Sequence, residues 1–179
     1  MKKIGPSLIE SGFDLSAPYL KRQTVRAIIL NDNKDVFMLY SKIFDDYTFP
    51  GGGIKADEDD DKALKRELKE ELGANITEEI TPYGYTEEFK FGFGKIKKQY
   101  QQISSYYIVK ADMNDTPTFN TREKTQALKS MWVDINVAIK QNDKAMQNSM
   151  HQKPGLKTVL LRENLVLNNL KEHKSHETI

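Results

Sequence analysis

Three glutamates at positions 67, 70 and 71 are spaced so that they could share one chemical role. On an α-helix, side chains three and four residues apart are neighbours, so Glu67, Glu70 and Glu71 would lie along one edge. Like charges held this close repel one another and oppose folding. A divalent cation converts this repulsion into coordination, and carboxylate oxygens suit Mg²⁺ and Mn²⁺. The spacing therefore indicates either a cation site or a solvated acidic face.

The segment that carries these glutamates, residues 59–72, has the periodicity of an amphipathic helix that ends at Gly73. Leu64, Leu68 and Leu72 fall on one stripe of a helical wheel, so they are expected to face a core. The opposite flank carries three lysines that are expected to face water: Lys62, Lys65 and Lys69. Because the lysines lie on a different face from the glutamates, they do not neutralise the acidic edge, and the helix alone supports the cation site and the solvated face equally.

A run of three glycines, Gly51-Gly52-Gly53, precedes this segment. Glycine adopts positive φ angles and lets the backbone approach a ligand closely, as a loop lining a metal or phosphate site requires. Glu58 lies eight residues before Arg66, which is far enough for the chain to fold back and pair the carboxylate with the guanidinium. Such an ion pair would hold the glycine run against the helix.

These residues together resemble a known family motif. The chain is similar to the Nudix box of the Nudix hydrolases in the pattern Gly52-x5-Glu58-x7-Arg66-Glu67-Leu68-x-Glu70-Glu71-x-Gly73-Ala74. Every charged and glycine position matches, and the departure is Ala74, where the family prefers a larger aliphatic residue. The resemblance implies an α/β (α+β) fold, namely a Nudix-type α/β/α sandwich with a mixed β-sheet, here with an additional C-terminal helix.

The resemblance also implies a role for each charged residue. Glu70 and Glu71 would bind the principal Mg²⁺ ion, for which Mn²⁺ may substitute, with help from the Gly51 carbonyl. Glu67 would bind a further metal or orient and deprotonate the attacking water, and Arg66 would orient Glu67. The implied chemistry is metal-assisted hydrolysis of a pyrophosphate, in which the attacking water is held in line with phosphorus.

The implied substrate is a nucleoside diphosphate linked to another moiety. Cleavage would give two phosphate-bearing products, or a monophosphate and pyrophosphate. Pro82 comes too early for the ADP-ribose subtype pattern, and no tyrosine stands at the spacing of the dinucleoside polyphosphate pattern. A nucleoside triphosphate or related nucleotide is therefore the expected substrate, and an ADP-ribose or nucleotide-sugar pyrophosphatase is the alternative.

Three other functions are compatible with a Nudix-type fold. A non-catalytic nucleotide-binding sensor would have little reason to retain all three glutamates. Isopentenyl diphosphate isomerases use a cysteine, and the chain has none. An RNA-processing member, which removes a 5′ cap or pyrophosphate, would use the same site, but a single modest basic cluster gives it no special support.

One further metal ligand is expected outside the motif, because some family members place another carboxylate there. Glu123 precedes the strand that contains Trp132 and occupies a comparable place. Glu87 and Glu88 compete for the same role. For each of the three, the alternative is an ordinary surface glutamate.

Substrate contacts are expected close to the glycine run. Arg26, on the first strand of the core, is a candidate phosphate ligand, and Gly52 would bring its backbone close to the substrate. Phe49 and Tyr47 flank the mouth of the run. A substrate contact is one interpretation for both rings, and core packing is the favoured alternative.

The segment 89–98 mixes aromatic and basic residues and has two interpretations. It would stack a base and attract phosphates, or it would form a hairpin with Phe89, Phe91 and Phe93 on its core face. The hairpin, turning at Gly92-Phe93-Gly94, is the favoured interpretation.

The rest of the chain predicts a mixed sheet with helices packed on it. Strands are predicted at 24–30, 35–40, 83–93, 99–109 and 130–135. The first two are expected to form a hairpin across Asn31-Asp32-Asn33. A last helix is expected to open at Pro154, because proline suits the first helical turn.

Composition excludes several classes of protein. The chain has 179 residues, of which 38% are hydrophobic, and no cysteine, so disulfides, thiolate metal sites and cysteine nucleophiles are ruled out. A formal charge of +1 provides no field to recruit nucleic acid or a membrane. No apolar run approaches the roughly 20 residues of a membrane helix, and Gly5-Pro6-Ser7 interrupts any signal peptide.

These observations predict a single Nudix domain over residues 1–179 of a soluble, unsecreted, cytoplasmic protein. It would comprise an arm at 1–20, a core at 21–145, a C-terminal helix at 154–171 and a tail at 172–179. The expected partner is a small-molecule nucleotide; neither a membrane nor a nucleic acid is expected. The apolar surface of the last helix would pack on the core or form a homodimer contact.

Overall fold

A computed structural model describes residues 1–93, 98–118 and 127–176 of the chain. The strands are β1 (Lys2–Lys3), β2 (Leu8–Ile9), β3 (Leu20–Ile28), β4 (Val36–Ser41), β5 (Asp46–Thr48), β6 (Asn75–Ile76), β7 (Thr81–Phe91), β8 (Gln99–Ile108), β9 (Ala111–Asp112) and β10 (Leu128–Val133). The helices are α1 (Asp60–Leu72), α2 (Ile135–Met146) and α3 (Val159–His176).

The largest sheet is mixed, as the sequence predicts. Its strands run in the order β1-β7-β8-β3, with β2 also pairing to β7. β7 and β8 are antiparallel, whereas β3 runs parallel to β8. A smaller antiparallel sheet has the order β10-β4-β5, and β6 pairs with β9.

Alternate residues of β3 face opposite layers of the molecule. Val25 and Ala27 belong to a buried cluster with Leu64 and Leu68 of α1. Ile28 belongs to a second buried cluster, which contains residues of α2 and α3. Because side chains alternate along a strand, one strand contributes to both cores. The α/β/α sandwich and the mixed sheet are therefore confirmed.

Helix α1 has the ends and the faces that its sequence predicts. Asp59 caps the first turn by accepting the Lys62 amide at 2.8 Å. Gly73 ends the helix in the left-handed region with φ 63°. The leucine stripe is buried and the three lysines are exposed. The acidic edge is thus held on a helix that is fixed at both ends and along its apolar face.

Residues 49–53, here called the glycine loop, run beside β3. The amide of Val25 donates to the Gly52 carbonyl at 2.9 Å, and the amide of Ala27 donates to the Pro50 carbonyl at 2.9 Å. These bonds use the edge of β3 that a hairpin partner would need. The predicted hairpin of 24–30 with 35–40 is therefore wrong beyond its turn. Leu30, after the end of β3, forms an isolated bridge with Val36, and the strands β3 and β4 belong to different sheets.

The predicted core face of the 89–98 segment is also wrong. Glu88 and Lys90 point into the protein, with relative exposures of 0% and 7%, whereas Phe93 is 57% exposed. Phe89 instead packs on Phe13, with ring centroids 5.6 Å apart. The strand period of two means that burying the charged residues puts the aromatic ones on the opposite face.

The last helix begins later and ends later than predicted. Residues 154–158 form turns, and α3 starts at Val159 and continues to His176, beyond the predicted end at 171. Gly155 has φ +84°, and its amide donates to the Glu10 carboxylate at 2.9 Å, so the chain turns here instead of entering a helix. The apolar residues of α3 pack on the core: Leu160, Val166, Leu167 and Leu170.

Two smaller boundaries also differ. β10 covers 128–133, and Asp134 caps α2 instead of continuing the strand. The first 20 residues contribute the short strands β1 and β2 to the main sheet. Of the helices in the described ranges, none has the length and apolar content needed to cross a membrane.

Candidate active site

The guanidinium of Arg66 connects the acidic edge of α1 to the glycine loop. Its Nε and Nη2 donate to both carboxylate oxygens of Glu58, at 2.5 and 2.8 Å. Nη2 also donates to the Gly53 carbonyl at 3.0 Å. Nη1 donates to Oε1 of Glu67 at 2.6 Å and lies 3.4 Å from Glu70. The Arg66 side chain therefore contacts the glycine loop, the turn before α1 that contains Glu58, and two of the three glutamates.

This ion pair also fixes the charge of its members. The hydrogen bonds from Arg66 lower the pKa of Glu58 to about 2. The reciprocal bond to Glu58 raises the pKa of Arg66, so both groups stay ionised near neutral pH. A bidentate pair of this kind has a defined geometry as well as a favourable energy.

Glu71 is held by the glycine loop itself. The Gly51 amide donates to Oε2 of Glu71 at 2.7 Å, and Glu71 is only 6% exposed. The Gly51 carbonyl accepts from Nη1 of Arg26 at 2.7 Å, which leaves its second lone pair for a ligand. Gly51 has φ +128°, and an added Cβ would lie 2.2 Å from the Val25 carbonyl oxygen, so the loop requires glycine here.

Gly52 makes room for the carboxylate of Glu67. A Cβ at Gly52 would lie 2.5 to 2.6 Å from the carboxyl atoms of Glu67. The position that a side chain would fill is thus occupied by a carboxylate, which rests directly on the loop backbone. This contact places a candidate cation ligand against the candidate carbonyl ligands of the loop.

The residues present have the chemistry of a magnesium site. The acidic edge and the loop supply carboxylate and carbonyl oxygens, the ligands that Mg²⁺ takes. Within residues 1–93, 98–118 and 127–176, no three acidic or histidine side chains already converge as a metal cluster. The reason lies in their partners, since Arg66 holds Glu67 and the Gly51 amide holds Glu71. The donor set therefore fits a divalent cation, and its carboxylates are pre-positioned by the protein.

The acidic edge borders a large cleft. The cavity measures about 950 Å³ and extends from α1 across the glycine loop to the start of α3. Its basic lining residues are Arg22, Arg26, Lys55, Arg66, Lys90 and Arg162. Its aromatic lining residues are Phe44, Phe91, Phe93 and Tyr100. Acidic groups on one wall and basic groups elsewhere suit an anionic ligand that reaches the protein with a cation.

A group of buried charges adjoins this cleft, and two of them, Lys90 and Arg162, line it. Glu88 accepts hydrogen bonds from Thr158 at 2.6 Å, Arg162 at 2.9 Å and Gln102 at 3.0 Å. Burial would raise the pKa of Glu88, but the charges of Arg162 and Lys90 outweigh it and lower the pKa to about 2. Burial has the larger effect on Lys90 and lowers its pKa. Glu88 is therefore an ionised, fully paired group inside the protein.

Replacing Glu88 with glutamine is expected to destabilise the protein by about 3 kcal/mol at pH 7, because Arg162 loses one of its two buried counter-charges. The folded-state pKa of Glu88 lies below its usual 4.5, so its contribution is present above pH 4.5 and is lost as the pH falls towards 2. Melting curves at pH 7, 4.5 and 3 check this, with Glu79→Gln as the surface control. The difference in Tm between wild type and Glu88→Gln should become smaller as the pH falls. A difference in Tm that is the same at all three pH values contradicts the assignment of Glu88 as an ionised, paired group.

The structure distributes the other candidate residues between site and core. Arg26 and Gly52 line the cleft. Phe49 is fully buried and packs edge-on against Tyr106, with ring centroids 5.5 Å apart. The expectation that its ring contacts substrate is therefore wrong, because the ring completes the core beneath the loop. Tyr47 similarly packs against Tyr40, at 5.0 Å.

The candidates for an additional carboxylate are separated from one another. Glu123 lies outside the residues that the structure describes. Glu87 pairs with Lys3 at 2.7 Å, on the opposite face of β7 from Glu88. Glu88 is buried next to the cleft residues Lys90 and Arg162, and four donors already occupy its oxygens.

Several cleft residues were not singled out from the sequence. Arg162 and Glu163 interrupt the apolar pattern of α3 and are both buried, at 2% and 0% exposure. A charged pair inside an apolar helical stripe is the signal that identifies them. His151 lines the cleft, and its Nε2 lies 3.2 Å from Oδ2 of Asp46. Burial opposes charging of His151, but the hydrogen bond to Asp46 outweighs it and raises the pKa of His151.

Comparisons with known proteins point to one family. The NUDIX domain profile matches residues 20–153. A Campylobacter jejuni protein named RNA pyrophosphohydrolase is 33% identical over 109 residues, covering 56% of this chain and 70% of the relative. A protein of the same name from a Nitratiruptor species is 33% identical over 110 residues, covering 57% and 71%.

A solved structure supports the same fold. The MutT NUDIX hydrolase from Burkholderia pseudomallei aligns with a TM-score of 0.51 and 18% identity, covering 65% of this chain and 84% of that one. At this identity the likeness concerns the fold alone. The matched profile ends at residue 153, so helix α3, with its buried charges, lies beyond it.

Proposed function

The chain belongs to the Nudix family of pyrophosphohydrolases, and on that premise we propose that it hydrolyses a nucleoside 5′-triphosphate or a related nucleotide with the help of Mg²⁺. Water would attack one phosphorus of the phosphoanhydride, and the bond to the bridging oxygen would break. The products are a nucleoside monophosphate and pyrophosphate. The observation that carries this proposal is the network in which Arg66 holds Glu58, Glu67 and the Gly53 carbonyl beside the cleft.

The three glutamates have different tasks in this proposal. Glu70 and Glu71, with the Gly51 carbonyl, would hold Mg²⁺, which neutralises charge on the diphosphate and lowers the pKa of a bound water. Arg66 binds Oε1 of Glu67, and Oε2 would bind a further cation or accept the proton of the attacking water. Glu58 acts through Arg66 and is a positioning residue.

The basic residues of the cleft would bind the substrate itself. Arg26 lies beside the glycine loop, which brings its guanidinium close to the expected position of the phosphates. Lys90 and Arg162 also line the cleft, where their positive charges would attract an anionic substrate. Positioning combined with charge stabilisation is the main source of catalysis in phosphoryl transfer.

A second candidate substrate is the 5′-triphosphate end of an RNA. A smaller cavity of about 490 Å³ shares Arg22, Gly53 and Lys55 with the cleft and carries one further basic residue, Lys21. Phosphates of the nucleotides after the first would fit beside these charges. The relatives from Campylobacter and Nitratiruptor carry the name RNA pyrophosphohydrolase, which favours the same candidate.

A substrate panel tests the proposal. Ribo- and deoxyribonucleoside triphosphates, ADP-ribose, nucleotide sugars and a short 5′-triphosphorylated RNA would each be incubated with Mg²⁺ or Mn²⁺, with EDTA as the metal control. We expect pyrophosphate release from nucleoside triphosphates and none with EDTA. A higher kcat/KM on the RNA, with the 5′-monophosphorylated RNA inert, supports the second candidate instead.

Two outcomes of the panel contradict the first candidate. Preferential cleavage of ADP-ribose or a nucleotide sugar identifies the alternative pyrophosphatase. Nucleotide binding without turnover of any compound, with either metal, identifies a sensor.

A further inference from the structure

A carboxylate of α3, outside the matched domain, accepts a hydrogen bond from the glycine loop. Glu163, in the first half of α3, is fully buried. Its Oε2 accepts the Phe49 amide at 3.1 Å, and its Oε1 accepts a hydrogen bond from Arg162. Phe49 is the first residue of the glycine loop, so α3 is bound directly to the loop that lines the candidate cation site.

The segment from Phe49 to Gly51 is bound at its other end to the acidic edge of α1. The Gly51 amide donates to Glu71 at 2.7 Å. Between them, Arg26 donates to both the Phe49 and Gly51 carbonyls, at 3.0 and 2.7 Å. Pro50 has a fixed φ angle, so few backbone dihedrals separate the two anchors. A change at Phe49 is therefore transmitted to the peptide that holds Glu71.

Stability alone gives a poor reason for this buried network. Removing charges from water costs several kcal/mol per ion, and well-packed apolar residues often give equal or greater stability. The charges here are balanced through a chain of contacts, from Glu88 to Arg162 and from Arg162 to Glu163. A network of this kind provides a fixed orientation for the groups at its end, and the group at its end is the Phe49 amide.

We propose that Glu163 is a positioning residue for the cation site: it fixes the Phe49 amide and, through Gly51, the carboxylate of Glu71. This inference rests on the proposed function, in which Glu71 holds a divalent cation. Groups that orient metal ligands typically change metal affinity 10- to 100-fold when they are replaced. The helix that follows the matched domain would thereby help to set the cation affinity of this chain.

The test is a Mn²⁺ titration of the whole chain followed by electron paramagnetic resonance, with no substrate present. Glu163→Gln keeps the size of the side chain, but its amide group has only one oxygen, whereas the carboxylate uses one oxygen for Arg162 and the other for the Phe49 amide. We expect the Kd for Mn²⁺ to rise about tenfold. The matched control is Thr158→Val, which removes a buried hydrogen bond to Glu88 but does not contact the glycine loop. It should lower the Tm and leave the Kd for Mn²⁺ unchanged.

The outcomes separate the two proposals. If Glu163→Gln lowers the Tm as Thr158→Val does and keeps the wild-type Kd, Glu163 has a structural role and the inference is overturned. Glu71→Gln serves as the reference variant. Wild-type Mn²⁺ affinity in Glu71→Gln contradicts the proposed cation site itself, whereas weakened binding there with normal binding in Glu163→Gln contradicts the positioning role alone.

A measurement on the wild-type protein covers the case in which Glu163→Gln does not fold. Because linkage is reciprocal, cation binding at Glu71 must stabilise the Phe49 amide contact if the two are coupled. Adding Mg²⁺ is expected to slow hydrogen exchange at the Phe49 amide. The reference is the Ile4 amide, which bonds to the Tyr85 carbonyl at 2.7 Å, far along the main sheet. Equal exchange at Phe49 with and without Mg²⁺ overturns the inference.

Discussion

Glu71→Gln and Glu70→Gln are each expected to lower kcat by about 100-fold or more, while the protein still folds. Losing one preorganised electrostatic group typically costs that much. Glutamine keeps an oxygen that can accept the Gly51 amide, so the 2.7 Å contact that positions residue 71 can persist. Steady-state hydrolysis of the best substrate with saturating Mg²⁺, together with melting curves, measures both effects.

The matched control for these variants is Glu79→Gln. Glu79 is an exposed carboxylate in the loop between β6 and β7, outside the cleft lining. It should retain wild-type turnover and Tm, which separates a local effect from a general loss of negative charge. A Glu71→Gln protein that melts normally and hydrolyses at the wild-type rate removes that carboxylate from the mechanism.

Gly52→Ala is expected to lower kcat 10- to 100-fold, the range found when the support of a metal ligand is lost. The new Cβ would lie 2.5 to 2.6 Å from the carboxyl group of Glu67, far inside normal contact distance. Glu67 would have to leave its position, and its 2.6 Å hydrogen bond to Arg66 would be strained or broken. The main fold should persist because the displaced group is a side chain at the edge of the cleft.

The neighbouring glycine provides the control for this variant. The nearest atom to an added Cβ at Gly53 is Nη2 of Arg22, at 3.9 Å, which is an ordinary contact. Gly53→Ala should therefore be close to wild type in kcat and Tm. An equal loss of kcat in the two variants would mean that the loop needs glycine for flexibility. The contact of the new Cβ with Glu67 would then not be the cause of the lower kcat in Gly52→Ala.

Helix α1 could be predicted from the sequence because the features that determine it lie close together in the chain. The leucine stripe, the Asp59 cap and the end at Gly73 depend on neighbours within a few turns, and the structure contains all three. The Glu58 and Arg66 contact is also local, since the two residues are eight positions apart. The motif therefore predicted which residues meet at the site.

The inward face of β7 could not be predicted in the same way. Aromatic and charged residues alternate along its end, and hydrophobicity alone assigns the aromatic ones to the core. Glu88 is buried instead because Arg162, 74 positions later in the chain, provides its counter-charge. Such a pairing becomes visible only when α3 is placed against the sheet.

The hairpin error has a similar origin. The alternation of 24–30 and 35–40 predicts two strands but does not identify the partner of each. The edge of β3 is taken by the glycine loop, and its other edge by β8. The cytoplasmic location and the homodimer contact stay predictions from composition and from the apolar surface of the last helix.

We propose that the acidic edge of α1, with the glycine loop, binds the cation that binds a diphosphate. Anomalous diffraction from crystals soaked with Mn²⁺ and a non-hydrolysable nucleoside triphosphate would locate that cation. We expect a Mn²⁺ peak at coordination distance, roughly 2.0–2.3 Å, from carboxylate oxygens of Glu70 and Glu71, with the diphosphate in contact with the ion. A nucleotide bound in the cleft with no Mn²⁺ at these glutamates would contradict it.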